Sequence, residues 1–211
     1  LYMIGCVNEI GKRQKADNVS GLLGESGFRE YMNQLDTPLE TGYLLRIGID
    51  HFKEINDNFG QEYGDFVLKK TAECISGCTS EGQKVYKLVA DEFLILDVAS
   101  DEAKDADKLY DKVREAIDRF IETNEFKVMY TVSGGIVPFA ALKGNQCSEA
   151  LKLTDFALNE AKKLGRNRCY IFNGETYRKF LRKREITQEL REALINGFQG
   201  FTAFYQPVFA E

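Results

Sequence analysis

The sequence predicts an α/β (α+β) fold in which a mixed central sheet of ferredoxin-like type is flanked by helices, and three observations predict it. Short β-branched runs alternate with helical spacings of apolar residues. Two of the runs, Val85 to Val89 and Phe93 to Val98, are separated by only a few residues, the pattern of a hairpin. That hairpin interrupts an otherwise alternating order, so the sheet should be mixed rather than doubly wound and parallel.

The elements follow in chain order. Tyr43-Leu44-Leu45-Arg46-Ile47-Gly48-Ile49-Asp50 is apolar enough for a buried strand and ends on an acid. After a short Phe52 to Phe59 element, Tyr63 to Cys78 places Phe66, Val67, Ala72 and Ile75 at helical spacing, with Gly77 as a stop. The hairpin comes next, with Asp91 and Glu92 at its tip. Ser100 to Thr123 sets Ala106, Leu109, Tyr110, Val113, Ala116, Ile117 and Phe120 against a charged outer face, an amphipathic helix. Lys127 to Pro138 reads as a strand broken by glycine, Ser148 to Leu164 as a helix stopped by Gly165, and Arg168 to Phe172 as a last short strand. Glu175 to Asn196 is a charged helix with Phe180, Ile186, Leu190, Ala193 and Leu194 in register, followed by the strand-like Phe201 to Phe209.

Composition narrows the function classes. The 211 residues are 44% hydrophobic and 29% charged, as in an ordinary globular domain, and the net charge of −5 offers no basic field for nucleic acid. No apolar run approaches the roughly 20 residues a membrane helix needs. A cytoplasmic domain without direct membrane contact is expected, with an anchor elsewhere in a longer protein left open. The five cysteines are scattered, and Cys74 and Cys78, one helical turn apart, read as core filler rather than as a metal site, since His51 is the single histidine.

Four stretches, in order, together cover roughly residues 17 to 172 and match the motifs of one family. Asp17-Asn18-Val19-Ser20-Gly21-Leu22-Leu23-Gly24-Glu25-Ser26-Gly27-Phe28 is similar to D-x-L-T-G-L-x-N-R-x-x-F. Ile49 to Asp65 is close to the tail of D-I-D-x-F-K-x-I-N-D-x-x-G-H-x-x-G-D. Tyr86-Lys87-Leu88 followed by Val89-Ala90-Asp91-Glu92-Phe93 stands in place of Y-R-x-G-G-D-E-F, and Ala157 to Arg168 is similar to A-L-Y-x-A-K-x-x-G-R-N-R. Any one of these could arise by chance, whereas four in order at compatible separations are specific, and together they resemble the GGDEF family of diguanylate cyclases. The resemblance implies a nucleotidyl-cyclase-like fold over residues 16–174. Residues 1–15 read as the tail of an upstream, PAS-like domain or a linker. Residues 175–211, with Tyr205-Gln206-Pro207-Val208, resemble a linker helix and the first strand of a truncated EAL phosphodiesterase domain.

In such a family two GTP-loaded domains face each other and form cyclic di-GMP, with Mg²⁺ or Mn²⁺ held by hard oxygen ligands. The resemblance carries the metal set onto Asp91 and the Ile49 carbonyl, and the signature acids onto Asp91 and Glu92. The first acid of D-I-D falls on Gly48, while Asp50 matches the second. A shift of two strand positions moves a carboxylate by about 7 Å, so Asp50 is a poor substitute. The signature glycines are replaced by Val89 and Ala90, which lack the freedom to adopt positive φ cheaply. Glu25 stands where the family has Arg, and Ser80 and Gln83 replace the R-x-x-D of the family's inhibitory product site.

The nucleotide positions survive. Asn56 and Asp65 match the residues that bind guanine, and Lys162 and Arg166 match the basic pair that meets the triphosphate. Each also has a plain reading: turn and helix capping for Asn56 and Asp65, a solvated helix end for Lys162 and Arg166, a polar hairpin tip for Asp91 and Glu92. The expectation is a catalytically impaired, regulatory or GTP-sensing domain serving a C-terminal EAL domain in the same chain, with GTP and a second copy of itself as partners. A weakly active cyclase and a purely structural dimerisation module are the alternatives.

Overall fold

The apolar run Tyr43–Ile49 is a strand buried along its whole length and paired on both edges. The structure is a computed structural model that describes residues 16–198 apart from 36, 38, 99, 101–102, 124–127 and 145, together with 201, 202, 204 and 205. The PAS-like expectation for residues 1–15 and most of the final strand-like segment lie outside the described residues.

The elements are β1 (Leu23–Gly24), α1 (Glu25–Asn33), β2 (Tyr43–Ile49), α2 (Phe52–Phe59), α3 (Gln61–Cys78), β3 (Gln83–Lys87), β4 (Glu92–Asp97), α4 (Ala103–Thr123), β5 (Val132–Pro138), a 3₁₀ turn (Phe139–Ala141), α5 (Cys147–Lys163), β6 (Cys169–Ile171) and α6 (Gly174–Ile195). The sheet order is β1-β3-β4-β2-β5-β6. β2 runs antiparallel to both β4 and β5, whereas β1–β3 and β5–β6 are parallel, so the sheet is mixed as expected. The inner four strands have the order of a ferredoxin-like unit.

Alternation along β2 divides the core between the two faces of the sheet. Tyr43, Leu45, Ile47 and Ile49 pack with Val67, Ala72 and Ile75 of α3 and Val113 and Ile117 of α4. Leu44 faces the other way, toward Phe28 and Met32 of α1, Leu94 and Leu96 of β4, and Ala150 of α5. Arg46 and Gly48 share this second face, and their neighbours make the candidate site.

Several boundaries differ from the sequence reading. α3 begins at Gln61 rather than Tyr63 and ends at Cys78 as expected, running through Gly77, an exposed glycine at which nothing forces a break. β3 ends at Lys87, so Val89 belongs to the turn. β5 is continuous through Gly134 and Gly135 rather than broken by them. A Cβ on Gly135 would lie 2.3 Å from the backbone nitrogen of Leu158, so this glycine lets α5 approach the sheet. β1 and α1 have no counterpart in the periodicity reading.

Cys74 and Cys78 are free thiols that point at carbonyls of α4, Ala116 and Lys112. Burial pushes the Cys74 thiol up to about 11, which suits a packing role. The chain divides into two units after Phe172. The second holds α6, whose first turn is capped by Asn173 Oδ1, accepting from Glu175 N at 2.9 Å and Thr176 N at 3.0 Å. No helix among the described residues is long and apolar enough to cross a membrane.

Candidate functional site

The hairpin between β3 and β4 keeps its shape without its glycines. Leu88 N donates to Glu92 O at 2.9 Å, Glu92 N donates to Val89 O at 3.3 Å, and Ala90 takes a left-handed φ of 53°. Val89 projects outward, 65% exposed, so its branched side chain escapes crowding by leaving the turn. Beneath the tip lies a brace that the sequence reading passed over. Lys87, 5% exposed, sends its ammonium to the carbonyls of Leu88 (2.9 Å), Glu92 (3.3 Å) and Ala90. Burial lowers its pKa, and Asp17, Asp91 and Glu92 pull it back up. Three converging carbonyls are the signal that could have found it, but they are backbone atoms and invisible in a sequence.

Gly48 stands directly opposite Glu92 in the β2–β4 register, beneath α5. A Cβ built on Gly48 would lie 3.1 Å from Lys162 Nζ and 3.1 Å from Leu158 Cδ2. Thus the direction in which an acid would project from this residue is filled by an ammonium. Asp91, on the neighbouring turn, has its pKa raised chiefly by desolvation, with Lys162 the largest influence in the other direction. The turn is tied to β2 by Ile49 N donating to Asp91 O at 3.3 Å.

Glu92 is already engaged. Arg46, 7% exposed on β2, donates from Nε at 2.7 Å and also from NH2 to Glu92 Oε2, while its NH1 reaches Leu151 O at 3.1 Å and its NH2 lies 3.5 Å from Asp155. An arginine in a run of leucines and isoleucines carries no obvious role in the sequence; its partner appears only once β4 is laid beside β2.

Asp50 does not stand in for the missing acid. Its carboxylate accepts from Thr131 Oγ1 at 2.7 Å, Ser133 Oγ at 2.8 Å and Asn167 N at 3.2 Å. Thr131 and Ser133 belong to the β5 side of β2, opposite the edge that carries β4 and Asp91. Asp50 is therefore a buried tie between β2, β5 and the turn after α5. That turn is unusual: Gly165, Arg166 and Asn167 all take positive φ, 115°, 61° and 47°. Asp50 holds Asn167 in place, and Arg166 is left exposed beside it.

On the far side of the hairpin, α2 and α3 meet across Gly60. Asn56 Oδ1 is a buried side-chain oxygen that meets no hydrogen-bond partner among the described residues. A Cβ on Gly64 would sit 1.8 Å from that same oxygen, so Gly64 is what makes room for it. Asp65 follows Gly64 on α3, partly buried. A desolvated acceptor without a donor is costly unless a ligand supplies one. At the other replaced positions the side chains are spent locally. Glu25 pairs with Arg29 at 2.6 Å in the first turns of α1, and Gln83 bonds Ser80 N at 2.9 Å and Asp97 at 2.7 Å.

The residues present do not fit the divalent metals that the resemblance implies. Such ions need several hard oxygen donors, chiefly carboxylates, converging on one point. Here one carboxylate is absent, its space holds an ammonium, Glu92 is paired with Arg46, and Asp50 faces the other edge. Among the described residues no group of three or more His, Cys, Asp or Glu gathers at metal distance.

Comparison with known proteins agrees with this topology. The family described as "Diguanylate cyclase, GGDEF domain" matches residues 15–168. The cyclic di-GMP phosphodiesterase NbdA of Pseudomonas aeruginosa is 29% identical over 199 residues, covering 92% of this chain and 25% of its own length. The diguanylate cyclase DgcZ of Escherichia coli is 30% identical over 161 residues, covering 74% of this chain and 53% of its own. The chain thus spans a quarter to about half the length of these relatives. Among solved structures, the GGDEF domain of TpbB (YfiN) from Pseudomonas aeruginosa superposes with a TM-score of 0.67 at 24% identity, covering 79% of this chain and 99% of that one.

Proposed function

From the premise that the chain belongs to the GGDEF domain family and so to cyclic di-GMP signalling, we propose that it is a GTP-sensing regulatory domain with impaired cyclase chemistry. The reading extends to control of a C-terminal EAL phosphodiesterase domain in the same protein. The observation that carries it is Gly48 beneath Lys162: where the family places a metal-binding carboxylate, this chain has none, and the basic residue beside that position faces a glycine. Without that acid the charge on the reacting phosphates is not managed as the two-GTP condensation requires.

The nucleotide-recognising parts support sensing rather than a purely structural domain. Asn56 keeps an unpartnered acceptor, Gly64 keeps the space around it, and Asp65 sits beside them. In this reading Asn56 and Asp65 take guanine, while Lys162 and Arg166 take the triphosphate. The pairing with an EAL domain is supported by NbdA, a cyclic di-GMP phosphodiesterase that matches 92% of this chain, α6 included. A second copy of the domain is the natural partner, since the family's chemistry joins two nucleotides across two domains.

The test has two halves. The purified chain is incubated with GTP and Mg²⁺ or Mn²⁺ at high protein concentration, and cyclic di-GMP is sought; robust turnover that Asp91→Ala abolishes overturns the loss of chemistry. Calorimetry with a non-hydrolysable GTP analogue measures sensing. Saturable binding supports it, and absence of binding reduces the domain to a structural module.

A further inference from the structure

The candidate site keeps its positive charges and has lost the acids that would hold a metal between them and a phosphate. Lys162 Nζ lies 3.1 Å from the Cβ position of Gly48, and among the described residues this ammonium forms no ion pair. Arg46 is bound to Glu92, so that carboxylate is neutralised from within the sheet by a group 7% exposed. Lys87 braces the hairpin tip through three carbonyls. Arg46 and Lys87 are thus spent on Glu92 and the hairpin carbonyls, which leaves Lys162 as the cation of this cluster without an ion pair among the described residues and Asp91 as the hairpin acid beside it.

We propose that Lys162 is the resident cation of this site, so that the domain binds the metal-free nucleoside triphosphate rather than its magnesium complex. The inference rests on the GTP-sensing reading above and specifies the form of the ligand. Its physical basis is charge complementarity. A divalent ion approaching Gly48 meets the Lys162 ammonium and, of the two carboxylates the family supplies, Asp91 alone, so repulsion is offset by one acid rather than two in a partly desolvated setting where charges are weakly screened. A free triphosphate carries about two more negative charges than its metal complex, and it meets Lys162 and the exposed Arg166 directly. A metal-bound triphosphate would bring its own cation into ground already held by one.

The experiment is isothermal titration of the whole chain with a non-hydrolysable GTP analogue, in EDTA and again in saturating Mg²⁺. For the wild type the affinity in EDTA should equal or exceed that in Mg²⁺, the two differing by less than about threefold or favouring the metal-free form. Gly48→Asp should reverse this: its carboxylate pairs with Lys162 and repels the phosphates, weakening metal-free binding about tenfold, and Mg²⁺ should restore it. Mn²⁺ titrated alone and followed by electron paramagnetic resonance should show no saturable site in the wild type. Binding that tightens about threefold or more with Mg²⁺ in the wild type, or a saturable Mn²⁺ site without nucleotide, overturns the inference while leaving GTP sensing intact. No binding in either buffer overturns both.

Discussion

Arg46 and Glu92 face each other across β2 and β4, with Arg46 Nε 2.7 Å from the Glu92 carboxylate and the guanidinium also holding Leu151 O of α5. One side chain thus ties the signature turn, the central strand and the helix above it. A buried pair of this kind is costly to break singly, because the survivor is left charged and desolvated. Arg46→Met should lower stability by about 3 kcal/mol in urea unfolding, the low end of the buried range because Glu92 keeps some exposure. The double change Arg46→Met with Glu92→Gln should recover about 1 kcal/mol of that, since no lone charge remains. Strict additivity of the two single changes would show that the pair is not coupled.

Asp91 gives a pH signature. Burial raises its carboxyl above the usual 3.8, so the folded state binds this proton more tightly than the unfolded state does. Stability from the group is present below the unfolded value and is lost as pH rises through the raised folded value. At neutral pH the ionised Asp91 therefore works against folding, moderated by Lys162. Asp91→Asn should raise the melting temperature at pH 7, by an amount worth under about 1 kcal/mol after solvent screening, and the gain should shrink toward nothing near pH 3.5. A gain that is constant with pH would point to packing instead.

Ala90 holds φ at 53°, a conformation that costs a non-glycine residue about 1–2 kcal/mol. Ala90→Gly removes that strain and adds backbone entropy to the unfolded chain, so the net stabilisation should be about 0.5–1 kcal/mol. If the variant is instead less stable, the turn draws more from the Ala90 methyl than its exposed position indicates.

What the sequence made legible and what it did not divides along physical lines. β2, the hairpin and helices α3, α4 and α5 were readable because apolar periodicity is local, whereas the short α1 was not. Arg46, Lys87 and Asp50 were not readable as structural ties, since their partners lie on other strands or are backbone atoms: Glu92, three hairpin carbonyls, and the Thr131–Ser133–Asn167 set. β1 was missed because a strand of two residues has no periodicity, and β5 seemed broken because a glycine that admits a helix looks, in one dimension, like a glycine that ends a strand. The absent acid at Gly48 was legible from the motif alone, but not that Lys162 fills its place.

Gly64 and Asn56 allow guanine recognition to be tested apart from phosphate chemistry. A methyl at position 64 would fall 1.8 Å from Asn56 Oδ1, an impossible contact, yet the clashing atom is the end of a side chain rather than backbone. Gly64→Ala should therefore push Asn56 aside while α3 stays folded, and because Ala is the better helix former the fold loses little. Binding of a GTP analogue should weaken about tenfold or more, as expected when a site's buried acceptor no longer meets its donor. Asn56→Ala should weaken binding similarly but raise stability slightly, because it removes a buried oxygen that meets no donor among the described residues. The pairing of lost affinity with gained stability is the discriminating outcome: an oxygen kept only for capping or packing would, when removed, lower stability and leave the nucleotide affinity where it was.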